Sequence, residues 1–382
     1  MKRSTDRLLT THVGSLPRPP ELAELMLRRE AGEHVDEAEL SQRIASACRD
    51  AVQRQLAAGL DVVNDGELGR ISFSVYLKDR LTGFEGSEYT NASHMRDPDF
   101  PNFQLSGREE RQKLRFPYCT GPVAMKDPDA IQRDLAVLRS AVDGQQPAEV
   151  FMTAVSPAHV PRNMPNRYYP DEEAYIEALA AALAHDYKAI VDAGFILQID
   201  CPDLGSGLSG GGPSAGLPLA DRVRLAQRHL DILNEAISGL PPDRIRLHVC
   251  WGNYEGPHHR DVPLEAIIGV LLTAHVGALS IEAANPRHAH EWTVFENIKL
   301  PDGMLLIPGA IDSCTNYVEH PELVRQRLVR FARLVGRENL IAGVDCGFST
   351  HLGTGRVDPD LVWPKLESLA EGARLASREL WA

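Results

Sequence analysis

The stretch that decides the fold is DEEAYIEALAAALAHDYKAIVDAG (residues 171–194), which runs without a break into FILQID (195–200). An acidic start, helical spacing of apolar residues and a closing Gly mark a helix over 171–194. The short apolar run behind it is too brief for a second helix and reads as a buried strand. The same unit occurs earlier: DEAELSQRIASACRDAVQRQLAAG (36–59) leads into LDVVND (60–65). A helix that stops on Gly and hands over to a buried strand is the habit of repeated βα units around a parallel sheet.

Nine apolar runs qualify as strands: 10–15, 61–65, 116–121, 150–156, 195–200, 244–250, 278–283, 304–310 and 339–345. A closed (β/α)8 barrel needs eight. The fold class expected is therefore α/β, a TIM-type (β/α)8 barrel forming a single domain over residues 1–382. The polar, aperiodic segment 85–115 is expected as an insertion, with 116–121 as the supernumerary strand beside it. GSGLSGGGPSAG (205–216) is nearly all Gly, Ser and Pro, but has neither the Lys nor the context of a phosphate-cradling loop. It reads as a lid over the barrel mouth or as a plain connector.

Bulk properties narrow the function. With 53 acidic against 40 basic residues, the formal net charge is −13. That balance argues against nucleic acid or an anionic membrane as partner. No apolar run reaches the ~18 residues of a membrane span, and a cytoplasmic location is expected. Six scattered cysteines, Cys48, Cys119, Cys201, Cys250, Cys314 and Cys346, suit a reducing compartment.

In a parallel barrel the active site gathers at the C-terminal ends of the strands. The polar residues there are His12 and Ser15, Asp65 and Glu67, Asp200, His248 and Cys250, Glu282, and Asp345 with Cys346. In RIRLHVC (244–250), His248 and Cys250 sit at i and i+2 and share one face of the strand. By itself that pair is either a half-built metal site or ordinary packing. Glu282 and Cys346 end strands further round the rim, so one His, two Cys and one carboxylate would converge on a tetrahedral ion. Zinc suits such donors, whereas magnesium and calcium take oxygen.

TTHVGSLPRP, DGELGR, LQIDCPDL, LHVC, SIEAAN and GVDCG follow one another here in an order that resembles the catalytic C-terminal half of cobalamin-independent methionine synthases. The likeness extends to their short single-barrel relatives, which include epoxyalkane:coenzyme M transferases, and it spans residues 9 to 350. It implies zinc (Zn2+) held by His248, Cys250, Glu282 and Cys346. It also implies Ser15 and Glu67 as contacts for the thiol substrate, with Asp200 holding its amino group.

The activity so implied is attack of a zinc-bound thiolate, from a small thiol such as homocysteine or coenzyme M, on a methyl or alkyl donor. Three departures weigh on the donor. Ser313 is expected where the family carries a proton-donating His in D-x-H-S, 382 residues leave no room for a second barrel that helps to bind folate, and Cys201 replaces an acid. Asp312 and His12 are the proton donors put forward instead, with Tyr168, Tyr169 and His351 behind them. The alternatives kept are thiol opening of an epoxide and, from another class, a metal-free barrel lyase or decarboxylase. A homo-oligomer is expected from base rates.

Overall fold

The computed structural model describes residues 1–89, 99–100, 102–103, 116–209, 214–352 and 357–382. Among the described residues ten strands are formed: β1 Leu9–Thr10, β2 Val62–Val63, β3 Phe84–Tyr89, β4 Phe116–Cys119, β5 Glu149–Val155, β6 Ile196–Asp200, β7 Ile245–Val249, β8 Ala278–Ile281, β9 Leu305–Ile311 and β10 Ile341–Val344. Eight are parallel neighbours in the order β1-β10-β9-β8-β7-β6-β5-β2. A parallel bridge between Thr11 and Val62, with Asp61 N–H donating to the Thr10 carbonyl at 3.1 Å, joins the two ends. The sheet closes into the expected TIM-type barrel.

The expected ninth strand lies outside the barrel. Phe116–Cys119 pairs antiparallel with Phe84–Tyr89, a strand the sequence did not announce. Most of the insertion expected at 85–115 lies outside the described residues, as do residues 210–213 of the Gly-rich loop.

The helices start and stop where their chemistry dictates. Helix α1 covers Pro20–Glu30, and α2 covers Glu37–Ala57 with Asp36 accepting from the Ala38 and Glu39 amides. Helix α3 is Ala130–Val142, and α4 is Glu172–Asp192, capped by Asp171 on the Ala174 amide. Helices α2 and α4 each end through a Gly with positive φ, Gly59 at 92° and Gly194 at 85°, where an L side chain would be strained. The remaining long helices are α5 Leu219–Ala236, α6 Leu264–Leu271, α7 Pro321–Val335 and α8 Pro359–Leu380. Among the described residues no helix is long and apolar enough to cross a membrane.

Strand alternation sorts the barrel interior into levels. At the N-terminal end Leu9, Val62, Phe151, Ile196, Ala278, Leu305 and Ile341 form two apolar clusters apart from the main core between sheet and helices. One step up, Arg246 spreads over the Phe151 ring at 3.7 Å and donates to Gln198 Oε1, Thr11 Oγ1 and the His12 carbonyl. A further step along the same register places Asp200 beside His248 and His248 beside Ser280. The apolar floor and the Arg246 layer thus support a polar mouth.

Candidate metal centre

Three of the four expected ligands converge. One donor atom each from His248, Cys250 and Cys346 lies within 4.8 Å of the others, and all three residues are buried. The two sulfurs are 3.3 Å apart, well beyond a disulfide bond, and both thiols are free. His248 Nδ1 pairs with Ser280 Oγ at 3.2 Å, which leaves Nε2 buried without a hydrogen-bond partner. An orphaned imidazole nitrogen costs free energy unless something occupies it. A sulfur pair and a buried lone pair facing one point fit a soft or borderline cation.

Electrostatics agree with that donor set. The Cys346 thiol hydrogen-bonds to Cys250 and, with His248 and the Gly252 amide at 3.3 Å, holds Cys250 well below the usual thiol range. The same contact, added to burial, holds Cys346 up.

Glu282 stands outside the tight cluster. Its Oε1 accepts the Trp251 amide at 2.7 Å, and its Oε2 accepts from Asn285 Nδ2 at 3.3 Å. Burial, then the Cys250 charge, pushes its carboxyl well up. Asp345, next to Cys346, accepts the amides of Ala283, Ala284 and Asn285 at 2.6–2.9 Å. It thereby ties the end of β8 to the end of β10. Burial and the Asp312 charge raise it to about 7 against those three donors.

The expected substrate contacts form a second group in the same mouth. Glu67 has φ +57°, an uncommon conformation held by Asx turns: Asn64 Oδ1 accepts the Gly66 amide and Asp65 Oδ1 the Glu67 amide. The Glu67 carbonyl takes a bond from Arg18 at 2.9 Å. Its Oε1 accepts from Thr153 Oγ1 at 2.8 Å, while Oε2 is buried and unpartnered. Asp200 accepts from Gln198 Nε2 at 2.7 Å. Burial, then the Glu67 charge, raises Asp200 well above the carboxylate range, with Cys250 adding to it. Ser15 is buried, and its Oγ accepts the Ser349 amide at 3.4 Å.

Of the proton donors put forward, His12 points away from the mouth. Its Nε2 pairs at 2.8 Å with Gln55 Oε1 on α2, and burial lowers it to about 4. Asp312 is committed locally, accepting from the Cys314 amide at 2.6 Å and Thr315 Oγ1 at 3.1 Å. Tyr169 Oη accepts the Val123 amide at 2.9 Å, Tyr168 is exposed, and His351 meets Phe73 edge-on.

Ser313 is buried with its hydroxyl unpartnered. Its neighbour Cys314 faces the centre instead: Sγ lies 3.1 Å from Asn253 Oδ1, and Cys250, Glu282 and Asp345 all act on its charge. Ser280, Thr153, Asn253 and Cys314 escaped the sequence reading. The alternation in SIEA, with Ser280 two before Glu282, could have flagged the first.

The Gly-rich loop begins close over the His248–Cys250–Cys346 cluster. Ser206 N–H donates to the Cys250 carbonyl at 2.9 Å, and a Cβ on Gly205 would meet that oxygen at 2.4 Å. Only Gly fits there.

Comparison with known proteins follows the same lines. The family described as "Cobalamin-independent synthase, Catalytic domain" matches residues 8–95, which include the Ser15 and Glu67 motifs. A Bacillus subtilis protein named "Uncharacterized protein YxjH" is 26% identical over 94% of this chain and 92% of its own. A methionine synthase of Sulfolobus acidocaldarius is 23% identical over 98% and 93%. The chain is thus similar to the cobalamin-independent synthase catalytic domain over residues 8–95 and to these relatives along nearly its whole length. A solved B12-independent methionine synthase from Shewanella sp. W3-18-1, in complex with selenomethionine, shares the fold at TM-score 0.74 and 22% identity, covering 98% of this chain and 99% of that one.

Proposed function

We propose that this chain is a zinc-dependent S-methyltransferase that activates a small amino-thiol of the homocysteine type. The observation that carries the reading is the buried convergence of His248 Nε2, without a hydrogen-bond partner, on two sulfurs 3.3 Å apart. Cys250 and Cys346 supply two thiolates and His248 a neutral nitrogen, with Glu282 beside them as the fourth donor once its bonds to Trp251 and Asn285 loosen. Zinc held by these residues would lower the pKa of a bound thiol, ~8.5 when free, so that its proton passes to solvent and its sulfur is a thiolate at neutral pH.

The protein's own residues position the reactants. Glu67 Oε2 and Asp200 are buried acids in one mouth, and a substrate ammonium between them would satisfy both and favour their ionised forms. Homocysteine carries such an ammonium, and the named methionine synthases among the relatives support that choice. Methyl transfer then forms a carbon–sulfur bond and breaks the bond from carbon to the donor, with the leaving group keeping the electron pair.

The test is turnover. Zinc-loaded protein is incubated with homocysteine against methylfolate, methylcobalamin, sulfonium and epoxide donors, and thiol loss and S-alkylated product are followed. We expect product with a methyl donor, loss of activity on chelation and recovery with zinc. Equal product from metal-stripped protein overturns the proposal. Product with the epoxide alone replaces methyl transfer by epoxide opening.

A further inference from the structure

A second buried cluster lies against the Trp251 ring. His258, Asp261 and His288 each place one donor atom within 4.8 Å of the others. His258 Nδ1 is 2.6 Å and His288 Nε2 is 3.1 Å from the same oxygen, Asp261 Oδ2. Two imidazole nitrogens pointing at one carboxylate oxygen is an odd economy for simple packing.

The outer partners fix which nitrogens are available. His258 Nε2 is 2.9 Å from the Tyr254 carbonyl, which only accepts, so this nitrogen carries a hydrogen. His288 Nδ1 is 2.7 Å from Glu291 Oε2 and donates to it. Asp261 Oδ1 accepts from Ser209 Oγ at 3.0 Å. Each inward-facing donor is therefore backed by a carbonyl, a carboxylate or a hydroxyl, which is how metal-binding imidazoles and carboxylates are oriented in proteins. Glu291 is held in turn, its Oε1 accepting the Leu264 amide at 2.7 Å. The loop keeps His258 at φ +52°, uncommon for a residue with a Cβ.

From this arrangement we infer that His258, Asp261 and His288 form a second site for a divalent cation of the zinc class, separate from the cysteine centre. Charge and protons balance. Without metal, both contacts to Asp261 Oδ2 require a second proton on each ring, giving two imidazolium ions against Asp261 and Glu291. With metal, those two protons leave and one divalent cation enters, so the four side chains together with the cation carry the same net charge as the doubly protonated set. Two imidazoles and one carboxylate favour zinc over the oxygen-seeking cations, and a fourth position is left for water.

The site would pin the segment after β7 to the segment after β8. Trp251, which follows Cys250, packs on the His288 ring at 4.6 Å and donates through Nε1 to the Val262 carbonyl at 2.7 Å. The cation would thus stiffen the backbone that carries one ligand of the cysteine centre.

Cobalt(II) titration separates the two sites, because only the cysteine centre gives thiolate-to-metal charge transfer. The full chain should bind two equivalents, one with the near-ultraviolet thiolate band and one without. Protein carrying Cys250→Ser and Cys346→Ser should keep one equivalent and no thiolate band; adding Asp261→Asn should abolish it. Glu291→Gln should keep it with affinity lower by about 10–100-fold. If the double serine protein is unstable, the count is read in otherwise unaltered protein, where Asp261→Asn should lower two equivalents to one and leave the thiolate band. The inference is overturned if folded double serine protein binds no cobalt, or if Asp261→Asn leaves the count unchanged. Loss of the thiolate band alone would instead count against the proposed function.

Discussion

His248 and Glu67 show how much a single unpartnered atom decides. Each is buried, each has one polar atom satisfied by a neighbour, and each leaves the other, Nε2 or Oε2, facing the mouth. Folding does not leave such atoms unpaired without cost, so a metal at Nε2 and a substrate group at Oε2 would each recover that cost. Glu67→Gln keeps the bond from Thr153 but removes the charge that meets an ammonium. We predict that it raises KM for an amino-thiol by about 10–100-fold, the scale of ~1.5–3 kcal/mol for a hydrogen bond to a charged group. Metal content should not change, and a thiol without an amino group should be insensitive to the substitution. Equal effects on both thiols in a steady-state assay would remove Glu67 from substrate binding.

His248 and Cys250 were legible because strand alternation alone puts i and i+2 on one face. Cys346 needed the barrel to close, which no local pattern states. Glu282 was legible as a strand-end acid, yet its oxygens face the Trp251 amide and Asn285, partners set by how the β7 and β8 loops pass one another. His258, Asp261 and His288 were not read at all. They sit in loops without periodicity, and 30 positions separate the first from the last.

At the scale of elements, the long helices were readable from their ends, since Asp36 and Asp171 cap where acids precede the apolar period and Gly59 and Gly194 stop it. Strand lengths were not. TTHVGS reads as six residues of strand, but only Leu9–Thr10 is regular, because the chain leaves the ladder after the Thr11 bridge and turns inward at Gly14. Strand β3 was missed because its partner, not its own pattern, makes it a strand.

One contact between elements carries the site directly. On β9, a Cβ at Gly309 would lie 1.9 Å from Asp345 Oδ1 and 2.7 Å from the Asp345 amide, just past the end of β10. Gly309→Ala must therefore push Asp345 off the amides of residues 283–285 and shift Cys346 with it. We predict destabilisation of about 1–3 kcal/mol by urea unfolding, the usual cost of overpacking, together with weaker metal retention. Unchanged stability and retention would show that Asp345 does not hold the end of β8 in place.

At the scale of the whole molecule, a barrel with polar contents buries titratable groups, and its stability must follow pH. His12 and His159 are buried and lowered to about 4, by desolvation first in both cases. In the unfolded chain both return to about 6.5. Between those values the unfolded state binds more protons than the native state, so stability rises with pH across the window. It is full above about 6.5 and lost as the pH falls toward 4, at up to about 1.4 kcal/mol per pH unit for each histidine. Denaturant melts of wild type and His159→Asn between pH 4 and 7 should show the shallower dependence in the variant. Parallel curves would mean that His159 takes up protons equally in the native and unfolded states, and that burial does not lower it.

In the proposed function the His248–Cys250–Cys346 centre binds a metal whose free position takes a thiol sulfur. The most direct test is the near-ultraviolet thiolate charge-transfer band of the cobalt(II) protein, recorded before and after homocysteine is added. Two protein thiolates should give the band, and a third sulfur should raise its intensity by about half, the proportion expected when charge transfer scales with the number of thiolate ligands. An absent band, or one that homocysteine leaves unchanged, would contradict the account.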